Sequence, residues 1–410
     1  MSRISLVKNL DASNSDSKPL LSYAELNGYL YFTKGSYDSG DYNDELWRTD
    51  GTESGTTLIK EINTTSFSAI TGLYSYGNNL FFQANDGTHG YELWKSDGST
   101  EGTVLLKDIN TGSDSNSNPK YFTERGGYIY FSAADETNGS ALWRTDGTES
   151  GTTLVNNKNG FPRSANANKY DATFTKLDSE FFFSSNDGIH GWELFKSDGT
   201  ESGTTLVKDI NPSSGGSNIS QIIKFGDYLY FNPDSETYGE ELWKTDGTES
   251  GTTLVKDINS GTTSGRPDNF AVFGDYLYFS ADDGLNGREL WRTDGTESGT
   301  TLVKDINSGS EDSSPHSLIV SQDKLFFTAY SSTFGHELWK TDGTDSGTVL
   351  VKDINSSYSD SSQEYMPRSL IDYGDKLVFF ASDGVNGLEA WQSDGDFKWN
   401  NFNSGFKPRL

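Results

Sequence analysis

Cysteine is absent from the 410-residue chain. Disulfides, thiol catalysis and thiolate-held metals are therefore excluded. Histidine occurs four times, at His89, His190, His316 and His336. The four are spread over different parts of the chain, so no shared metal is expected from them. Long apolar runs are missing too. The start, Met1 to Lys8, reads as neither a signal peptide nor a membrane span. The expectation is an extracellular or cell-surface protein exported by a signal-less route, with a cytoplasmic one as the alternative. Basic charge is in short supply: 32 Lys and Arg stand against 60 Asp and Glu, for a formal net charge of −28. With no basic stripe, a nucleic-acid backbone or an anionic bilayer would be repelled. The bases are interspersed among the acids, so this is not a disordered acidic tail. No nucleophile elbow, phosphate loop or zinc-binding helix motif occurs. No segment carries a helical period.

What is present is a repeat. Only 32% of residues are hydrophobic, yet 13% are aromatic and 44 are glycine. That balance suits stacked sheets with large rings between them and many turns. A chain of this length exceeds the usual single domain, but a repeat array escapes the limit because each unit needs only its neighbours. Tryptophan recurs at Trp47, Trp94, Trp143, Trp243, Trp291, Trp339 and Trp391, with Phe195 in the remaining place. The successive spacings are 47, 49, 52, 48, 48, 48 and 52 residues. Eight units of this length match the period of propeller blades.

One unit predicts four strands: Asn269 to Phe273, Tyr276 to Ser280, Glu289 to Thr293 and Thr301 to Ile306. Short turns containing Gly and Asp separate them, which is the pattern of an antiparallel meander. Leu6 to Leu10 matches the fourth strand, and no match follows the last third strand, Glu389 to Ser393. The fold class expected is all-β: an eight-bladed β-propeller of four-stranded antiparallel blades, one domain spanning 1–410. Residues 1–12 complete the C-terminal blade and close the ring, which removes exposed sheet edges.

The stretch from Glu289 to Ile306 reads Glu-Leu-Trp-Arg-Thr-Asp-Gly-Thr-Glu-Ser-Gly-Thr-Thr-Leu-Val-Lys-Asp-Ile, and close copies stand at Glu241 to Ile258 and Glu337 to Ile354. The pattern resembles the signature of the bacterial ELWxxDGT repeat family, and the resemblance covers nearly the whole chain. It implies repeat architecture and an external location, as parts of large secreted or surface-associated proteins, and it carries over no catalytic residues. Ala141, Phe195 and Ala390 depart from the pattern locally.

Each motif position has a structural reading. The Trp rings pack between blades, or alternatively form a sugar platform. The turn from Asp294 to Gly299 resembles the Asp-box hairpin of sialidase-type propellers and serves the turn itself. The Lys-Asp pair, as in Lys304-Asp305, protects an outer edge by charge. In the loops between second and third strands, Asp86, Asp187, Asp282, Asp283 and Asp383 offer oxygens for Ca²⁺, against a plain turn-making role. The later Glu92, Glu193 and Glu389 are expected to satisfy backbone groups of a neighbouring loop.

First strands line the central channel. One aligned position is apolar throughout, from Tyr23 to Leu370, and is expected in the core. Two residues later the series runs Glu25, Ser75, Glu124, Lys176, Lys224, Val272, Val320 and Asp372. Glu25, Glu124, Lys176, Lys224 and Asp372 are the candidate binding residues of a channel mouth, as a ring of mutual salt bridges or as a small polar pocket. The irregular loops 159–170 and 356–366 are further places for specific contacts. The functional expectation is a non-enzymatic binding or scaffolding module engaging glycan or protein. A calcium-stabilised adhesive domain and a polysaccharide-acting enzyme with its site at the channel mouth are the alternatives.

Overall fold

The computed structural model describes residues 22–38, 41–50, 52–63, 68–112, 115–156, 174–212, 215–355, 366–373, 376–382 and 388–393. Within them the chain is all-β. It forms seven four-stranded antiparallel sheets, one three-stranded sheet and a two-stranded ladder. These meander sheets are of the propeller-like kind. No helix among the described residues is long and apolar enough to cross a membrane. The chain divides into two compact units, residues 1–191 with 195–206 and 409–410, and residues 192–194 with 207–408. The strand Leu6 to Leu10 and the loop 159–170 fall outside the described residues, as does the loop 356–366 apart from Met366.

The sixth sheet shows how the sequence makes one meander. Its strands are Asp268–Phe273, Tyr276–Asp282, Arg288–Thr293 and Thr301–Lys304. The expected strands are present, with one instructive difference. The fourth ends at Lys304, because the Ile306 N–H leaves the ladder to donate to the Glu289 side chain. The second strand is buried on both faces. Its alternating side chains therefore pack against two different neighbours.

Hydrophobic clusters confirm that arrangement. In the first unit, Leu26, Tyr31, Leu46 and Ile59 of the first sheet pack with Leu80, Phe82 and Trp94 of the second. Leu93, one residue before Trp94, faces the other way and packs with Phe131 and Trp143 of the third sheet. The same plan recurs in the second unit, where Trp291 packs onto Leu242 and Val255, and Trp339 onto Leu290 and Val303. The motif Trp is thus the ring that packs between adjacent sheets, as expected, and Phe195 takes that role with Phe183. The aligned first-strand position is less uniform than expected. Leu73 and Phe174 are buried, but Tyr23 is 67% exposed.

The Asp-Gly-Thr turn does more than reverse the chain. Asp294 Oδ1 accepts from the Thr296 N–H at 2.8 Å and from its hydroxyl at 2.7 Å, and Thr296 Oγ1 accepts from the Gly299 N–H at 3.0 Å. Those bonds hold the exposed Asp294 carboxyl below its usual range, with the Thr296 hydroxyl the largest cause. Gly295, between them, has φ +92°. The preceding sheet docks on this turn. Lys244 Nζ donates to the Gly295 carbonyl at 2.8 Å, and the Tyr230 hydroxyl lies 2.2 Å from where a Gly295 Cβ would stand. Tyr31 against Gly98, Tyr130 against Gly199 and Tyr278 against Gly343 repeat the contact.

The fourth-strand lysine corrects a further expectation. Lys60 Nζ donates to the Thr103 carbonyl at 2.7 Å and Lys208 Nζ to the Thr252 carbonyl at 2.9 Å. Both acceptors lie in the turn of the following sheet. The lysine is long enough to reach across, so it ties sheets together instead of only guarding an edge.

These contacts predict the effect of Gly295→Ala. The side chain adds positive-φ strain of about 1–2 kcal/mol and about 1–3 kcal/mol of overpacking against Tyr230. Urea denaturation should show a loss of roughly 2–5 kcal/mol, partly recovered in Gly295→Ala/Tyr230→Phe. A variant as stable as the parent would contradict the clasp.

Candidate functional site

The strand register supports the alignment from which the channel-mouth residues were chosen. Glu25 pairs with Leu30, Ser75 with Leu80, Glu124 with Ile129 and Lys176 with Phe181. In the second unit Lys224 pairs with Leu229, Val272 with Leu277, Val320 with Leu325 and Asp372 with Leu377. Each stands at the same place, two residues before the turn or at its edge, with its side chain toward solvent.

In the first unit two of these residues meet. Lys176 Nζ lies 2.8 Å from Glu124 Oε1, with side chains 47% and 45% exposed. They line an open depression of about 460 Å³ with Arg125, Asp178, Ser179 and Glu180. Glu180 is itself paired with Lys196 at 3.0 Å. Glu25 is exposed on the first strand of the first sheet. In the second unit Asp372 accepts from the Ser321 hydroxyl at 2.7 Å, and Lys224 is exposed. Of the five candidates, the structure brings Glu124 and Lys176 together.

The candidate calcium carboxylates are engaged by their own loops. Asp86 Oδ1 accepts from the Thr88 and His89 N–H groups at 2.9 and 3.0 Å, and Oδ2 meets His89 Nδ1 at 2.8 Å. Burial opposes ionisation of Asp86, but the bonds from His89 and Thr88 outweigh it and hold the carboxyl low. The Asp86 bond in turn raises His89. Asp187 repeats the arrangement with Ile189 and His190. Asp283 accepts from Leu285, Asn286 and the Asn286 amide, and Asp282 from the Gly284 N–H. Asp383 lies outside the described residues. Among the described residues no cluster of three His, Asp or Glu side chains is placed to hold a metal.

The motif glutamate behaves as its position suggested. Glu289 is fully buried. It accepts from the Ile306, Asn307 and Ser313 N–H groups at 2.9, 3.3 and 3.1 Å, and from the Ser313 hydroxyl at 2.5 Å. Glu92, Glu193, Glu241 and Glu337 hold the equivalent backbone. Burial pushes all five carboxyls up to about 7.

Two groupings escaped the sequence reading. His316 and His336, taken there as separate, share the seventh sheet, with ring centroids 6.4 Å apart and the Tyr330 ring, tilted by 54°, 5.1 Å from His336. Arg288 and Glu240, each immediately before a motif glutamate, attract each other electrostatically within a mixed-charge group of the second unit. The available signal was the one variable residue beside an otherwise repeated Glu: Tyr91, Trp192, Glu240, Arg288, His336.

No family model and no curated relative matches the chain. Solved structures do match. A puromycin hydrolase is 14% identical over 90% of this chain and 59% of its own, with a TM-score of 0.42. A structure described in work on two prolyl endopeptidases is 11% identical over 89% of this chain and 54% of its own, at 0.43. A puromycin-hydrolyzing peptidase of Mycobacterium tuberculosis is 10% identical over 92% of this chain and 60% of its own, at 0.43. The chain thus spans 54–60% of the length of these three. These matches carry the names of hydrolases and peptidases, not of adhesins or glycan-binding modules. The expected non-enzymatic surface scaffold, with its adhesive and polysaccharide-acting alternatives, is not what these structures are named for.

The buried glutamates set a pH dependence. A folded-state value of about 7 against 4.5 means that the folded chain holds protons the unfolded chain has released. Stability is then greatest below the unfolded value and falls as pH rises toward about 7. The turn aspartates, held low, act oppositely, and their contribution is lost below the ordinary Asp range. Calorimetry in about 0.5 M salt, which screens the general acidic repulsion, should place the highest melting temperature near about pH 4–5. A melting temperature that climbs between about pH 5 and 7 would contradict the assignment.

Proposed function

We propose that the eight sheets close into an eight-bladed propeller built from ELWxxDGT repeats, and that its first unit handles short peptides through their charged ends. Closure is supported by the eighth sheet. It has three strands among the described residues, and Leu6 to Leu10 repeats the missing fourth-strand pattern.

The peptide reading is carried by the Glu124–Lys176 pair in its charged depression. An exposed ion pair of this kind is worth about 0–1 kcal/mol, so a ligand that offers both charges can exchange with it at little cost. A peptide carboxylate would go to Lys176 and Arg125, and its ammonium to Glu124 and Asp178. The inner-strand position brings both signs to one opening with room for a few residues. A ligand of one sign would be opposed by either the three acids or the two bases that line that opening.

NMR titration with trialanine, alongside the same peptide acetylated and amidated, tests this. The free peptide should bind saturably at roughly millimolar Kd. Lys176→Gln and Glu124→Gln should each weaken it several-fold, and the blocked peptide should not bind. Equal binding of free and blocked peptides, or no binding of either, would remove the proposal.

A further inference from the structure

The variable residue before the motif glutamate points to a second, independent site. Arg288 opens the third strand of the sixth sheet. Its side chain is only 18% exposed. Its guanidinium makes a single hydrogen bond, from Nη2 to the Ser280 hydroxyl at 3.0 Å. The nearest carboxylate, Asp268 Oδ2, stands 4.0 Å away, beyond hydrogen-bond reach. Arginine has five N–H donors arranged to take a planar oxyanion in two parallel bonds. Arg288 uses one of these five donors within the protein, and none of its nitrogens is both buried and unpartnered, so the remaining donors are open to an incoming oxyanion.

The acids around it are better served. Glu240 Oε1 accepts from the Asn232 amide at 2.9 Å, and Asn232 is itself fixed by Ser220 and Gln221. Asp268 Oδ1 accepts from the Asn269 N–H at 2.7 Å. Asp312 Oδ1 accepts from the backbone N–H of Arg288, not from its side chain. Arg266 stands alongside with φ +47°, its N–H given to the Glu240 carbonyl. Burial lowers Arg288 and raises Glu240, and the attraction of the neighbouring opposite charges offsets part of each shift. The acids keep Arg288 charged without occupying its fork, and they leave Asp268 Oδ2 as an acceptor beside it.

We propose that Arg288 anchors a binding site for a small carboxylate that bears a hydrogen-bond donor next to the carboxylate, a hydroxy or amino acid. The ligand's carboxylate pairs with the Arg288 fork, and its hydroxyl or ammonium donates to Asp268 Oδ2. Arg266 adds attraction for the anion at the exposed side. The site belongs to the second unit and does not depend on the peptide reading of the first.

NMR titration with lactate, alanine, propionate and inorganic phosphate tests it on the full chain. Lactate and alanine should give saturable shifts at residues of the sixth sheet and bind more tightly than propionate. Arg288→Gln should weaken lactate by roughly tenfold or more. Arg288→Lys should recover only part, because a point charge cannot reproduce the fork. Asp268→Asn, which tests the site should Arg288→Gln fail to fold, should erase the preference for lactate over propionate. Lys176→Gln should leave all of this unchanged. Tighter binding of phosphate than of lactate, equal binding by Arg288→Gln, or no saturable shift in the parent would overturn the proposal.

Discussion

One carboxylate without exposed surface holds each typical repeat to its surroundings. Glu289 sits on a third strand, yet every group it binds lies elsewhere: the exit of the fourth strand at Ile306 and Asn307, and the connection to the next sheet at Ser313. Ser313 in turn accepts from the Tyr330 N–H of the seventh sheet. A single side chain therefore fixes where one meander ends and the next begins. Hydrogen bonds to a charged group contribute about 1.5–3 kcal/mol each, against several kcal/mol to desolvate the carboxylate. The near balance makes the glutamate a device for geometry more than for net stability. It sets the register in which Trp rings meet the neighbouring sheet.

The departures from this rule are informative. In the first sheet Glu45 bonds Trp47 Nε1 and faces Lys34, and the stapling passes to Ser68, whose hydroxyl exchanges bonds with the Asp44 backbone. In the third sheet Ala141 fills the place, buried and unable to accept anything. The fold tolerates both because the hydrophobic clusters between sheets continue through them. Packing carries the architecture, and the polar staple refines it.

That division explains what could be read from the chain alone. Strands, turns and first-strand register follow from local pattern: an aromatic second strand, Asp-Gly turns and a constant spacing. The placement of Glu25, Glu124, Lys176 and Asp372 at one equivalent position followed from counting back from a turn. The pairing of Glu124 with Lys176 was one of two readings left open there, salt bridges or a polar pocket, because it depends on how two first strands approach each other. Lys208 reads as an edge charge in sequence, since composition records a charge but not the direction in which its stem reaches. His316 and His336 are twenty residues apart along the chain and looked unrelated, yet first and third strands of one meander bring their rings within 6.4 Å.

Repetition itself concealed the most chemically uneven place. Where a position repeats, its role is structural and can be averaged over copies. Where it varies beside a constant neighbour, averaging erases it. The residue before the motif glutamate is such a position, at or near the start of the third strand. It is Tyr91, Trp192, Glu240, Arg288 and His336 in turn. The first-strand end carrying Glu124 varies in the same way. A repeat array can hold specific chemistry only at such ends, since its faces are committed to neighbouring sheets. The physical search for function in this chain therefore reduces to strand ends, and Arg288 is a largely buried charge at one of them, with one side-chain hydrogen bond of its own.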